Sequence, residues 1–345
     1  MKHGLRFLPE KFVSSETMKL HDMVGNMKLY IPYHQRDYSW DFEQVDQFLK
    51  DIEVLMKQNF EDDRSLAHFV GAMVFIKNEE NGRFEIIDGQ QRITTTMLYF
   101  SALKLLLTRI EDPQKQSNLF FRIHSYIFSS LPGQSNETRL RLDREQEFFE
   151  KVLNAGSIME IETLFENNHR KKDVTKTIYN RFRQIYEHFE KEFDKFEGDN
   201  NSLYNLILKY IESVQTMMVC IQIIVQHSGV AYRVFETLNA RGKGLTKANL
   251  IKNTLLSYAE KQHTFDSVLD IWSNVIEELT QYDSIEITEF LSNSYLARFG
   301  KIESNNLFDS IKKLLEENSI TAKKYADLID KDYSIYLKVI GLGNN

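Results

Sequence analysis

Asp88, Gly89, Gln90, Gln91 and Arg92 stand in a row between an apolar run and a threonine-rich one, in the stretch "FEIIDGQQRITTTMLYF" (84–100). A carboxylate, a glycine, two amides and a guanidinium make a poor core and a well-equipped loop. Thr94 and Thr95 add two hydroxyls just beyond it. If a strand ends at this corner and a helix starts after it, unpaired backbone N–H groups and the positive end of the helix dipole meet at one point. Phosphate is the natural guest there. Arg92 would offer phosphate a fork of donors. Asp88 would repel a phosphate directly but can hold Mg²⁺, or a water, beside one. A plain turn with a helix cap competes on equal terms, because the pattern is neither a P-loop nor a dinucleotide-binding fingerprint.

Two other polar clusters shift that balance. "YIPYHQRDYSW" (30–40) packs Tyr33, His34, Gln35, Arg36, Asp37 and Tyr38 after an apolar strand, and "FETLNARGKGLTKANLIKN" (235–253) sets Asn239, Arg241, Lys243 and Thr246 in a glycine-broken loop. Each alone reads as an exposed surface loop. Converging, they would offer Arg36, Arg92, Arg241 and Lys243 to one anion, which makes a site. Tyr33 and Tyr38 are weaker candidates for stacking on a nucleobase, since aromatics at a strand end more often rim a core.

The elements that must position these residues are legible from spacing. "SSETMKLHDMV" (14–24) reads as a short capped helix, and "MKLYIPYHQRDYSW" as a strand ending at Pro32. Asp41 with Gln44 three residues on makes a capping box for a helix carrying Phe42, Val45, Leu49, Ile52 and Met56 at helical spacing. "HFVGAMVFIKN" and "RFEIIDG" read as a hairpin with Asn81-Gly82 at its tip. After the loop, Ile93, Met97, Phe100, Leu103, Leu107 and Ile110 form an apolar stripe. From 113 to about 215 the chain is mostly helical, with one short strand at "TRLRLD". "MMVCIQIIV" (217–225) returns to strand, and 261–345 read as helix.

Composition narrows the class. With 50 acidic against 43 basic residues, the net charge of −7 gives no global positive field, so any DNA contact must be local. A basic run at "HRKKDVTK" (169–176) reads as a solvated face. The single cysteine, Cys220, lies in an apolar run, which excludes a disulfide framework and fits a reducing compartment. No export signal or run of about 18 apolar residues occurs, so a cytoplasmic protein that does not span a membrane is expected. His34, His68, His124, His169, His188 and His227 show no metal-ligand spacing.

"IPYHQRDYSW", "IIDGQQRITTTMLYF" and "FETLNARGKGLTKANLIKN" resemble, in order, the three signature segments of GmrSD-type defence proteins, specifically their N-terminal GmrS-like domain. The resemblance spans about residues 14 to 260. It implies an α+β fold of the ParB and sulfiredoxin kind: a small mixed-sheet core (1–125), a helical insertion (126–215), a segment completing the core with the third motif (216–260) and an all-helical C-terminal region (261–345). It also implies that Asp88, Gln90, Gln91 and Arg92 form a nucleotide phosphate-binding and hydrolysis element, with Gly89 allowing close backbone approach. Gln35 and Arg36 match the "QR" motif of the same pocket, and Asn239, Gly242 and Leu245 match the third motif and are carried over as pocket wall; beside these, the residues themselves offer Thr94, Thr95, Asn239 and Lys243 to bind the nucleotide. The expected cofactor is Mg²⁺ with a nucleoside triphosphate. The implied role is a sensor subunit in modification-dependent restriction of phage, whose partners are modified DNA and a nuclease domain or subunit. An oligomer is compatible with all of this. Full-length relatives carry a His-Asn-His nuclease domain, whereas residues 261–345 hold only His263 and no proline, so DNA cleavage by this segment alone is not expected. The other class of reading is a module that binds DNA or a modified base without turnover.

Overall fold

The computed structural model describes residues 13–32, 35, 37–61, 66–78, 82–130, 137–143, 145–168, 173–226, 231, 234, 247–282, 284–302 and 307–342. Met1–Val225 form one compact unit and Gln226–Asn345 a second. Tyr33, His34, Arg36, Asn239, Arg241, Gly242, Lys243, Leu245 and Thr246 lie outside the described residues, as do Asn81 and the start of the basic run at 169–172.

The first unit is organised by six strands, β1 (Val13–Lys19), β2 (Leu29–Ile31), β3 (His68–Lys77), β4 (Phe84–Asp88), β5 (Leu140–Leu142) and β6 (Met218–Val225). They form one sheet in the order β1-β6-β3-β4-β2-β5. Three pairings are parallel, β6 with β3, β4 with β2, and β2 with β5; β1 with β6 and β3 with β4 are antiparallel. β3 lies inside the sheet, and its Met73, Val74, Phe75 and Ile76 are all buried. That explains a continuous apolar run in place of alternation. The hairpin expected between β3 and β4 is present, with Phe84 opposite Lys77.

One expected element is corrected. Ser14–Met18, read as the opening of a helix, belongs to β1, which pairs along its whole length with β6 from Val13 with Val225 to Lys19 with Val219. A helix-start pattern in a polar stretch is a weak local preference, and a complete ladder to a distant strand overrides it. The helix begins only afterwards, at α1 (Leu20–Asn26), and no side chain caps it. By contrast α2 (Phe42–Met56) starts as expected: Asp41 Oδ1 accepts from Gln44 N at 3.0 Å, and Gln44 Oε1 accepts from Asp41 N at 3.0 Å. Such a cap contributes about 1 kcal/mol.

The helix after the polar loop, α3 (Gln90–Leu106), differs from its expected one-sided stripe. All of its residues are buried except Arg92 and Lys104. It is covered by α4 (Pro113–Ile127), α5 (Gln146–Asn154) and α7 (Asp173–Asp194), which together with α6 (Ile158–Glu166) and α8 (Asn200–Glu212) form the helical insertion. Tyr99 shows how tight this is: its ring meets Phe48, Phe100 and Phe189 edge-on at 5.0 to 5.9 Å between centroids, and its hydroxyl donates to Tyr210 O at 3.1 Å. Cys220 is buried against Met23, and burial pushes its thiol up to about 11, so it is an inert filler.

The second unit is helical among its described residues, with α9 (Lys247–Lys261), α10 (Phe265–Leu279), α11 (Ile287–Phe299), α12 (Leu307–Glu316) and α13 (Ala322–Val339). Asp332 of α13 ties two turns of α11 together by accepting from Ser294 Oγ at 2.7 Å and from Arg298. No helix among the described residues is long and apolar enough to cross a membrane. A mixed sheet carrying helices, followed by a helical C-terminal region, is the α+β class indicated by the sequence.

Candidate functional site

Gly89 makes the corner. It sits at φ +105°, between the end of β4 and the first residue of α3, in the left-handed region that costs an L side chain. A Cβ there would also stand 2.8 Å from Met73 Cγ, a buried side chain of β3. The close approach that requires a glycine is therefore one made by the protein's own core.

From this corner the first turn of α3 sends its side chains two ways. Residues advance about 100° each around a helix, so Gln90 and Thr94 share a face, Gln91 and Thr95 share the next, and Arg92 lies about 200° round from Gln90. On the first two faces, Gln90, Gln91 and Thr94 join Ile31, Pro32, Gln35, Asp37, Tyr38, Leu142 and Val174 around a cleft of about 20 Å³. That is room for a water molecule, well short of a nucleoside.

The groups lining the cleft divide sharply into engaged and unengaged. Gln91 is engaged at both ends of its amide: Oε1 accepts from Ser39 N at 2.8 Å and Trp40 N at 3.2 Å, while Nε2 donates to Asp37 O at 2.9 Å. It pins the 37–40 segment to α3 with both acceptor sites of its oxygen and one of its two N–H donors. Thr95 is wholly buried. Its hydroxyl donates to Gln91 O at 2.9 Å and meets the Tyr38 hydroxyl at 2.8 Å, so it is not on offer to a phosphate. Tyr38 itself is 5% exposed, and burial holds its hydroxyl well above the usual tyrosine range. It lines the cleft from within the core, which corrects the expectation of a ring free to stack on DNA.

The unengaged set is Gln35, Gln90 and Thr94. They are 7%, 6% and 1% exposed, and Gln35 Nε2, Gln90 Oε1 and Thr94 Oγ1 have no hydrogen-bond partner. Leaving a buried polar atom unpaired costs about 1–3 kcal/mol, so three around one small cleft mark a place kept polar for a guest. All three are uncharged; together they supply a donor, an acceptor and a hydroxyl that can be either.

Asp88 and Arg92 form a separate cluster on the far face. Arg92 Nη2 lies 3.2 Å from Asp88 Oδ2, and Nη1 donates to Val70 O at 2.6 Å. Neither side chain lines the cleft. Both are about a quarter exposed, so the pair is reachable from solvent. Of the four cations expected to converge on one anion, Arg36, Arg241 and Lys243 lie outside the described residues; Arg92 pairs with Asp88, across the helix turn from the neutral cluster of Gln35, Gln90 and Thr94.

Two residues went unmarked in the sequence. Gly71 stands at φ +100° inside β3, where the register with β6 slips between Phe69 and Ala72, and it faces Arg92. An isolated glycine in a strand run is the signal for such a bulge. Asn253, on α9, is 1% exposed with neither amide atom paired. It is the last residue of the third polar segment; Ile251 and Lys252 beside it are buried too, and what sets Asn253 apart is its unpaired amide.

Among the described residues no three His, Cys, Asp or Glu side chains come together as a metal cage. A Mg²⁺ carried in with phosphates needs only one or two protein carboxylates, a set that Asp88 fits. No curated protein matches the chain closely enough to add to this geometry. The family described as the GmrSD restriction endonuclease N-terminal domain matches residues 20–256, well over half of the sequence. That match takes in both clusters at the start of α3, five of the six strands (all but β1) and Asn253. The chain therefore belongs to the GmrSD restriction endonuclease N-terminal domain family, which gives it a part in a restriction and defence system.

Proposed function

We propose that the chain is a nucleotide-dependent subunit of that system, binding a nucleoside triphosphate at the start of α3 and hydrolysing it with Mg²⁺. The observation that carries this reading is the unpaired trio of Gln35 Nε2, Gln90 Oε1 and Thr94 Oγ1 around a water-sized cleft. Hydrolysis needs a water held in place, and these are the groups to hold one. Of the two glutamines in the loop, Gln90 takes that task and Gln91 supports it, because both acceptor sites of the Gln91 oxygen are spent on the 37–40 backbone.

In this reading the phosphates sit at the N-terminal tip of α3, between the two clusters, where the N–H groups of the first helical turn and, from the far face, Arg92 would supply positive charge. Asp88 would exchange its ion pair with Arg92 for a Mg²⁺ carried by the phosphates; the metal would neutralise charge developing on them. Arg36, Asn239 and Lys243 are carried into this reading by the sequence alone. Turnover would bias a partner nuclease, with modified DNA as the signal, through two states of different nucleotide affinity.

The test is phosphate release from ATP, GTP, CTP and UTP with Mg²⁺, comparing wild type with Asp88→Ala, Gln90→Leu and Arg92→Ala. Turnover lost in all three folded variants sustains the reading. Binding of a triphosphate without release, untouched by Gln90→Leu, would favour the module without turnover. The closed Asp88–Arg92 pair is the observation on that reading's side.

A further inference from the structure

β3 is an inner strand, buried over Met73–Ile76 and only partly buried around Gly71, and a glycine at φ +100° there is a cost: the ladder with β6 slips between Phe69 and Ala72, and the position offers no side chain to pack. The bulge accomplishes one visible thing. Val70 O there accepts from Arg92 Nη1 at 2.6 Å, and Gly71, with no side chain of its own, leaves the space beside it to the Arg92 guanidinium. A Cβ on Gly71 would lie 2.3 Å from Arg92 Nη1, closer than real contacts allow, so the end of the Arg92 side chain would have to shift. Asp88, one strand over, holds the other arm of the fork at 3.2 Å. The guanidinium is thus fixed on two sides, with its remaining N–H groups toward solvent at a side-chain exposure of 24%.

We propose that Gly71 is a positioning residue for Arg92: its bulge forms the socket that seats the guanidinium, and so sets how strongly the 88–92 loop holds phosphate. This rests on the nucleotide reading above for the word phosphate, though not for the seating itself. A planar fork binds an anion well only when it is pre-set, since the entropy of fixing a long side chain is then already spent. The competing account is that Gly71 serves only the sheet. On that account a substitution would lower stability and leave the folded protein's phosphate affinity alone.

Tripolyphosphate, which has no base to recognise, is the probe, titrated calorimetrically into wild type, Gly71→Ala, Arg92→Ala and the double variant with Mg²⁺. The expected result is an affinity roughly tenfold or more lower for Gly71→Ala, with the double variant no weaker than Arg92→Ala alone. Wild-type affinity in folded Gly71→Ala, or losses that multiply in the double variant, would overturn the proposal. A second measurement needs no nucleotide: phenylglyoxal labelling of Arg92, read by mass spectrometry, is expected to be faster in Gly71→Ala than in wild type. An unchanged rate also overturns it. If wild type binds neither tripolyphosphate nor any of the four triphosphates, the nucleotide reading fails and the labelling rate alone decides the seating. Should Gly71→Ala not fold, a folded double variant would show that the clash with Arg92 was the cause; an unfolded one would leave the glycine to the sheet and sink the idea.

Discussion

The two ends of α3 are opposites. At its C-terminal end a cavity of about 570 Å³ opens between α3, α4 and α5, lined by Lys104, Gln116, Phe120, His124 and Phe128 among others. Three of its polar groups are spoken for: Lys104 Nζ donates to Leu153 O at 2.6 Å, Gln116 Nε2 to Leu107 O at 3.0 Å, and Thr108 Oγ1 to Leu105 O at 3.2 Å. At its N-terminal end the cleft is far smaller, yet three buried polar atoms around it have nothing to bond. Volume and unpaired polarity point to different ends. Unpaired buried polarity costs stability and persists only where something uses it, whereas a roomy groove with satisfied walls is what packing three helices around loops leaves behind.

That contrast can be broken in four ways. The largest effect belongs to the corner itself: Gly89→Ala meets both a left-handed backbone and Met73, so denaturant unfolding should show a loss of roughly 2–5 kcal/mol. Next, polar-to-apolar changes should have opposite signs at the two ends. Thr94→Val removes an unpaired hydroxyl, so the ligand-free protein should gain about 1 kcal/mol while phosphate release falls at least about tenfold. A loss of stability there would mean that the hydroxyl was paired all along.

At the far end, Gln116→Leu deletes a made hydrogen bond, and a loss of about 1 kcal/mol with unchanged phosphate release is expected. Altered release would give that cavity a function. The smallest effect is one of pH. Burial pushes Lys104 down to about 8 from 10.5, so between those values the unfolded chain holds a proton that the folded one has lost. Unfolding free energy therefore rises with pH across that window. Buried tyrosines act in the opposite direction above about pH 10, their folded pKa being raised, so the contribution is read as wild type minus Lys104→Met. A flat difference would place the Lys104 amine in water.

What the sequence disclosed was local. The Asp41–Gln44 cap, the β3–β4 hairpin and the strand-to-helix corner at Gly89 are each set by residues a few positions apart, and each is present. What it withheld depends on distant partners. Ser14–Met18 is a strand because β6, some two hundred residues on, completes its ladder. Gln91 and Thr95 looked like site residues of the same rank as Gln90 and Thr94. Which pair is spent and which is free is settled by where residues 37–40 dock, and no spacing within the loop encodes that. The helix stripe was read correctly on one face and underread on the others, since burial all round comes from three helices that arrive later in the chain.

The place of β6 in the sheet has a consequence for how the protein is made. It is the last strand of its unit to leave the ribosome, and it belongs between β1 and β3. Until Met218–Val225 are synthesised, β1 has no neighbour and β3 presents a bare hydrogen-bonding edge along an apolar face, the bulge at Gly71 included. The corner at Gly89 can form early with β3 and β4, but the strand that braces it from behind comes more than a hundred residues later, so the nascent chain carries a half-built site while those residues are made. An exposed edge of that kind is where a translating chain pairs with the wrong partner, and slow synthesis or a missing chaperone should be felt there first.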